Sequence, residues 1–505
     1  MTILNWSIMA GVPVLGTVVA THEGPTALDF DFVISEESAR QYIESGSFVQ
    51  TQRGEELILG MVQKLRRVNR YYSSPDIIHG SSGGVSLPSV YPADKWDYVI
   101  ASVRILGSYQ GNLRVRATRP VLPGSLVEFA EDSILQQFLG LGETGLNLGK
   151  VRQSDLTAVI NIDKLLQKHL AIMSISGGGK SYATSVIIEE LMKRKKTEGR
   201  PALVVFDVHG EYKNLTQMSK FSHFKSVDVE RITADKLSLA MGYLSSSDLR
   251  KFFPTMSYAQ SRELDAIMSK LRIEREPITI EKIISKIYST EMNQLVKDAL
   301  LGWVNMLKGT RIFGNAEYPQ LEKSIQPGKL LIIDLSSLTT LWTKRIILHY
   351  FLTRIFKLRR FKEICPVVSF IEEAHQFAPE TVNAASKSII HTIAREGRKF
   401  LCSLVLISQR PVNLSTTALS QCNTHLILRI LNPHDLAWIG KSSEGINQET
   451  LGMITTLGVG EGLLVGEAVN YPIFLQVRKK LMTAEFDDPS LANESILYEK
   501  IEIKP

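Results

Sequence analysis

At 505 residues the chain is too long for one ordinary hydrophobic core, and its length predicts about three domains. With 44% hydrophobic and 22% charged residues it has a globular balance, and no uncharged apolar run reaches the roughly 18 residues of a membrane span; with no leader pattern at the N-terminus either, a cytoplasmic protein without membrane insertion is expected. The formal excess of +6 is compatible with a nucleic-acid partner but too small to establish one, and Cys365, Cys402 and Cys422, which lack C-x-x-C spacing, read as reduced buried thiols rather than metal ligands or disulfides.

To about residue 140 the chain reads as short strands: 12–21, 29–34, 47–52, 57–65, 98–109 and 114–122. Several alternate polar and apolar residues and end at Gly, Pro or Ser, which predicts a small β-barrel over residues 1–145. The turn-rich 76-DIIHGSSGGVSLPSVYPADKW-96 reads as an insertion or hairpin tip. The basic clusters 64-KLRRVNRYY-72, 193-KRKK-196 and 357-KLRRFK-362 suit solvated element ends as well as they suit phosphates.

From about residue 166 the pattern changes to strands alternating with helices. The runs beginning at 170, 203, 330, 367, 403, 425 and 461 are short and continuously apolar, as central strands covered on both faces must be. They predict an α/β fold with a doubly wound, mostly parallel sheet, the P-loop ATPase type of core, over residues 146–240 and 311–470. Patches such as 259-AQSRELDAIMSKLRI-273 and 296-VKDALLGWVNML-307 repeat apolar residues at helical spacing, so residues 241–310 read as an inserted helical bundle.

The first of these strands runs into 174-SISGGGKSY-182. This approaches G-x-x-x-x-G-K-[ST], in which backbone N–H groups cradle phosphates, a lysine neutralises them and a hydroxyl ligates Mg²⁺. Ser176, Gly177, Gly178, Gly179, Lys180, Ser181 and Tyr182 form the candidate ATP-binding loop, and Ser181 the first candidate Mg²⁺ ligand. Ser174 stands where the pattern has its first glycine, a position whose backbone angles a side chain can find costly. After the second strand comes 206-FDVHGEYKNL-215, whose Asp207 and Glu211 face the same end of the sheet, because sites gather at strand C-termini.

Hydrolysis also needs a carboxylate to orient or deprotonate water and a second acid beside the metal. The stretch 366-PVVSFIEEAHQFAP-379 supplies both, with Glu372 in the metal-assisting position and Glu373 in the catalytic one. The helix 389-IIHTIAREGRKF-400 carries Arg395, Arg398 and Lys399 near its end, where a guanidinium can enter a neighbour's site or simply favour the helix dipole. Gln409 follows the next strand, where an amide can contact the γ-phosphate or the attacking water. Residues 471–505 are expected to form an extension that crosses to a neighbouring subunit or stays mobile.

The loop SISGGGKS, the motif FDVHGEY, the strand VVSFIEEAH, the REGRK helix and the strand VLISQRP, in that order, resemble the HerA and FtsK family of ring-forming DNA motors, and most closely its archaeal HerA branch. The resemblance implies a homohexamer around double-stranded DNA, held without regard to sequence, that hydrolyses ATP with Mg²⁺ at subunit interfaces. It also implies work with a NurA-type nuclease and the DNA-break repair machinery in end resection. By resemblance Lys180 and Ser181 bind ATP and Mg²⁺, Glu373 activates water, and Arg398 or Arg395 acts in trans. Two departures stand out: Ser174 for the family's glycine, and Val208 for the proline of its DPHGEY motif, which is expected to loosen a turn. Competing readings are a conjugation- or secretion-type pumping ATPase and a nucleotide-gated scaffold with little turnover.

Overall fold

The computed structural model describes residues 14–20, 24–35, 43–69, 97–111, 113–115, 117–225, 227–442, 446, 448–482 and 495–496; the turn-rich stretch at 76–96 and most of the C-terminal extension lie outside them. Two compact units divide the chain, Met1–Lys180 with Val405–Arg478, and Ser181–Leu404 with Lys479–Pro505.

The first unit opens with β1 (Val14–Val19), β2 (Asp29–Ile34), β3 (Phe48–Arg53), β4 (Glu56–Asn69), β5 (Asp97–Gln110), β6 (Leu113–Val115) and β7 (Leu126–Phe129). Strands β2, β1, β7, β3, β4 and β5 pair in that order and β2 pairs back onto β5, so six antiparallel strands close a barrel and leave no open edge. Alternation fills its interior: Phe30, Phe32 and Ile34 point inward from β2 to meet Val18, Val49, Ile58, Val62, Val103 and Val127. Register shifts at Leu59/Gly60 and Val62/Lys64 lie along the β4–β5 ladder, where a bulge bends a long strand. Among the described residues of the expected strand at 114–122, only those of β6 are in a strand, and Pro120 cannot donate to a ladder. Closure falls instead to β7, which the sequence did not announce.

Beyond the barrel come α1 (Asp132–Leu139), β8 (Leu146–Val151), β9 (Thr157–Ile160), β10 (Leu170–Met173), α2 (Lys180–Met192), β11 (Ala202–Asp207), β12 (Asp228–Thr233) and β13 (Leu239–Ala240). Then follow α3 (Ser246–Phe252), α4 (Tyr258–Ile273), α5 (Ile280–Ser289), α6 (Gln294–Gly309), β14 (Phe313–Gly314), β15 (Lys329–Asp334), α7 (Leu341–Arg360) and β16 (Val367–Ile371). The chain continues through α8 (Ala374–Phe377), α9 (Lys387–Phe400), β17 (Cys402–Ser408), β18 (Thr424–Ile427), β19 (Glu461–Gly466) and β20 (Ile473–Val477).

In the first unit β17, β10 and β18 run parallel, and β19, β20, β8 and β9 extend that order as an antiparallel edge. In the second unit the order is β12-β15-β11-β16, all parallel. Every residue of β10, β11, β16, β17 and β18 is buried, and since successive side chains point to opposite faces, both faces are covered. The expected α/β core of P-loop ATPase type is therefore present, with the antiparallel edge as an addition.

Helices α3 to α6 fill the stretch read as helical. Ser245 and Ser257 cap α3 and α4 by accepting from the backbone N–H groups of Asp248 and Gln260. The layer docks on α7: His349 Nε2 lies 3.0 Å from Asp248 Oδ1, and the Trp342 indole donates to the Phe252 carbonyl at 3.0 Å. The Phe253 ring packs 4.7 Å from Trp303 and 5.6 Å from Trp342, centroid to centroid. Among the described residues no helix is long and apolar enough to cross a membrane.

The barrel core sets a stability prediction. Phe32 is fully buried, so Phe32→Ala should cost the barrel about 3–5 kcal/mol. Denaturant unfolding followed by near-ultraviolet circular dichroism checks this, and a loss under about 1 kcal/mol would mean that the ring is not packed as described.

Candidate nucleotide site

The glycine loop belongs to the first unit until Lys180. Its start is clamped between two strand ends: Ser174 N–H donates to the Ser408 carbonyl at 3.2 Å and Ile175 N–H to the Arg429 carbonyl at 3.0 Å. Gly178 N–H then closes a turn onto the Ile175 carbonyl at 3.2 Å. Gly177 and Gly179 have φ of +74° and +93°, angles that favour glycine. A Cβ on Gly177 would meet no protein atom within 4 Å, so this side of the loop is open, as a cradle for phosphate requires. Ser176 is exposed beside it, and Lys180 is buried at 9% exposure.

Ser174 does not carry the strain its position suggested, because it is absent from the residues with positive φ. Its side chain is fully buried and its hydroxyl donates to the Ile175 carbonyl at 2.9 Å. The space it needs is given by Gly178, where a Cβ would stand 2.2 Å from Ser174 Oγ. The bulk missing at Gly178 is thus present at Ser174.

In the second unit α2 continues from Ser181, whose hydroxyl donates to Glu211 Oε2. Glu211 is held there by the loop after β11. Asp207, fully buried at the strand's end, accepts at Oδ1 from the N–H of Gly210 (2.7 Å) and Glu211 (3.1 Å), and at Oδ2 from Tyr212 N–H (3.0 Å). Burial nevertheless pushes the Asp207 carboxyl above its ordinary range, against the pull of those N–H groups. Glu372 Oε2 accepts from Val208 N–H at 2.7 Å and His209 N–H at 3.2 Å. Val208 therefore does more than fill the place of a proline: it supplies a hydrogen bond to the acid that a proline lacks the hydrogen to make.

Glu373 follows β16 in a left-handed conformation, φ 50° and ψ 44°, and is fully buried, with His375 Nδ1 at 3.3 Å from its Oε2. A non-glycine residue held at such angles costs of order 1–3 kcal/mol, a strain that gathers at functional sites. Among the described residues no three acids, histidines or cysteines group as a self-sufficient metal cage. The donor set, a hydroxyl with carboxylates nearby, suits Mg²⁺, which keeps waters and phosphate oxygens among its ligands.

Gln409, half-buried, follows β17 in the first unit. Arg395 and Arg398 are exposed near the end of α9 and, three residues apart, share one face. The sequence reading missed the hold on α2 by the C-terminal extension. There the Tyr182 hydroxyl accepts from Lys480 N–H at 2.9 Å, the Lys480 ammonium lies 4.7 Å from the centre of that ring, and the fully buried Glu189 accepts from the N–H groups of Leu481 (2.9 Å) and Met482 (3.0 Å). Burial pushes the Lys480 ammonium down to about 8. Within the stretch expected as an extension, Ile473–Val477 instead form the sheet strand β20, and Lys480–Met482 are secured to a helix of their own chain. Their only trace in the sequence is a buried-face glutamate on α2, which has no periodic signature.

Residues 146–355 match the family model of the central domain of helicase HerA. The chain is 27% identical to the DNA double-strand break repair helicase HerA of Pyrococcus furiosus, over 86% of this chain and 88% of that one. It is 25% identical to the protein of the same name from Sulfolobus acidocaldarius, over 90% and 92%. Among solved structures, VirB4 of Thermoanaerobacter pseudethanolicus superposes with a TM-score of 0.50 at 13% identity, covering 67% of this chain and 97% of that one, a likeness of fold.

The exchange of bulk between Ser174 and Gly178 predicts a coupled pair. Gly178→Ala should weaken ATP binding about tenfold or more, since overpacking costs about 1–3 kcal/mol, and Ser174→Gly in the same chain should recover most of the loss. Titration with a fluorescent ATP analogue measures both, and additive losses would show that the two positions do not share one space.

Proposed function

Starting from a chain that carries the HerA central domain and is related to HerA helicases over most of its length, we propose an ATP-driven motor on double-stranded DNA, working in the cytoplasm on broken ends as a homohexamer beside a NurA-type nuclease. The observation that carries this reading is the Ser181 hydroxyl, next in the chain after the glycine loop and Lys180, donating to Glu211 beside the acids buried at the ends of β11 and β16. ATP is the substrate. The loop from Ser176 to Tyr182 supplies N–H groups to its phosphates, and Lys180 neutralises their charge. Mg²⁺ would be held by Ser181 with Glu372, and Glu211 beside the hydroxyl, and would neutralise charge between the β- and γ-phosphates.

Glu373 takes a proton from water as the water oxygen bonds to the γ-phosphorus and the bond to the ADP oxygen breaks. Gln409 orients that water or contacts the γ-phosphate. Arg398 or Arg395, exposed on one face of α9, stabilises the transferring phosphoryl group of a neighbouring subunit. A nucleotide-gated scaffold needs no water-activating carboxylate, and the strained, buried Glu373 supports turnover instead. Contacts to duplex through basic side chains and phosphates give binding that ignores sequence and falls with salt.

Linear duplex should raise steady-state ATP turnover. Lys180→Ala should abolish it, and Glu373→Gln should lower it about 10²–10⁴-fold while retaining nucleotide. Wild-type turnover no faster than that of Glu373→Gln, with or without duplex, would replace the motor by the scaffold. Mixing Arg398→Ala with Glu373→Gln subunits should restore part of the activity if the arginine acts between subunits, and light scattering of the purified protein checks the ring.

A further inference from the structure

Helix α7 begins beside the loops that carry the acids. Lys344 Nζ donates to the Val208 carbonyl at 3.3 Å, and Val208 is the residue whose N–H donates to Glu372. One peptide segment is therefore gripped from both sides, by the carboxylate after β16 and by the ammonium from α7. The next residue, Arg345, donates through Nε to the Gln376 carbonyl at 2.8 Å. Gln376 N–H in turn donates to the Glu373 carbonyl at 2.7 Å, within the short turn that opens at the left-handed Glu373. Lys344 and Arg345 are both half-buried, and burial lowers both below their ordinary values. For Lys344 the opposing pull comes from Glu372, Asp334 and Asp207.

Ordering two long cationic side chains costs rotamer freedom and hydration, so their consistent aim at carbonyls of the two acid-bearing loops calls for a return. Those carbonyls follow buried carboxylates, at Val208 after Asp207 and at Gln376 after Glu373. A charge-assisted hydrogen bond to each is about twice as strong as a neutral one and fixes the loop against the helix.

We infer that Lys344 and Arg345 are positioning residues for the proposed hydrolysis: Lys344 sets the loop that aligns Glu372 and Glu211, and Arg345 sets the turn that holds Glu373. Neither touches the substrate, and the inference rests on the ATPase reading above for its kinetic consequence, though not for its structural one. A residue that acts by alignment lowers turnover and leaves ground-state binding alone, because the glycine loop and Lys180 are not disturbed.

The test compares Lys344→Met and Arg345→Met with Lys344→Arg and Arg345→Lys in the full-length protein. In the methionine variants kcat should fall about 10- to 100-fold, the scale of a small misplacement, with the KM for ATP held within about twofold. The charge-conserving variants should recover most of kcat. Hydrogen exchange read by mass spectrometry should rise in the peptides spanning 207–212 and 373–378 in the methionine variants and stay at the wild-type level in the conservative ones. Unchanged kcat and unchanged exchange in the methionine variants would overturn the inference, as would a rise in KM alone or a failure of the conservative variants to rescue. If the wild type itself has no turnover above Lys180→Ala, the ATPase reading has failed, and the exchange measurement still decides whether these side chains hold the loops.

Discussion

Three carboxylates, Asp207, Glu372 and Glu373, are taken wholly out of water at the ends of two neighbouring parallel strands. A buried acid without donors is expensive, and the shape of the loops beyond β11 and β16 follows from where those donors are found. Asp207 folds the chain back on itself until three backbone N–H groups reach it, with Gly210 at φ +79° permitting the turn. Glu372 takes the two N–H groups that remain at the start of the same loop. One acid therefore closes the loop from within and the other ties it to the next strand. Glu211 is delivered to the Ser181 hydroxyl as a result, so the candidate metal side is built by the desolvation of Asp207 and Glu372, of which only Glu372 is a candidate metal ligand.

The same economy of space explains the unusual glycine loop. A residue with a side chain can stand at Ser174 because the atoms it adds are those that glycine omits at Gly178, and because its own φ is not in the left-handed region. The clamp on Ser174 and Ile175 from the ends of β17 and β18 uses backbone groups only, so it is indifferent to which side chain stands there. Close packing makes such exchanges pairwise, and a loop read one position at a time hides them.

The central strands were legible because burial on both faces leaves a continuous apolar run, and each of the seven runs from 170 to 461 became a strand. Elements at the edges lacked that signal. Strand β12 reads DVERIT, with three charged residues of six, as an edge strand that deters further pairing. In β8, Gly149 at φ +144° and a register shift between Asn147 and Lys150 break the alternation that would have announced it. The acids were legible for a related reason: two charges closing an apolar run are conspicuous. Lys344, Arg345 and Lys480 were not, because a cation on a helix or after a strand looks the same whether it meets water, a carbonyl of another loop or an aromatic ring.

Helix α7 joins features that the sequence kept apart. In its first turn, Lys344 and Arg345 face the acid-bearing loops while Trp342 donates to the Phe252 carbonyl and stacks beside Phe253. Two turns on, His349 meets Asp248 and lies edge-on to Phe252 at 5.4 Å. An α-helix of 20 residues is about 30 Å long and stiff along its axis, so a shift of its first turn cannot be absorbed locally. Any rearrangement of the loops after β11 and β16 that moves Lys344 or Arg345 must also load the contacts of α3, and the reverse holds equally. The helical layer is in this sense part of the acid site's mechanical surroundings, joined to it through the first half of a single rigid element that is hydrogen-bonded to both.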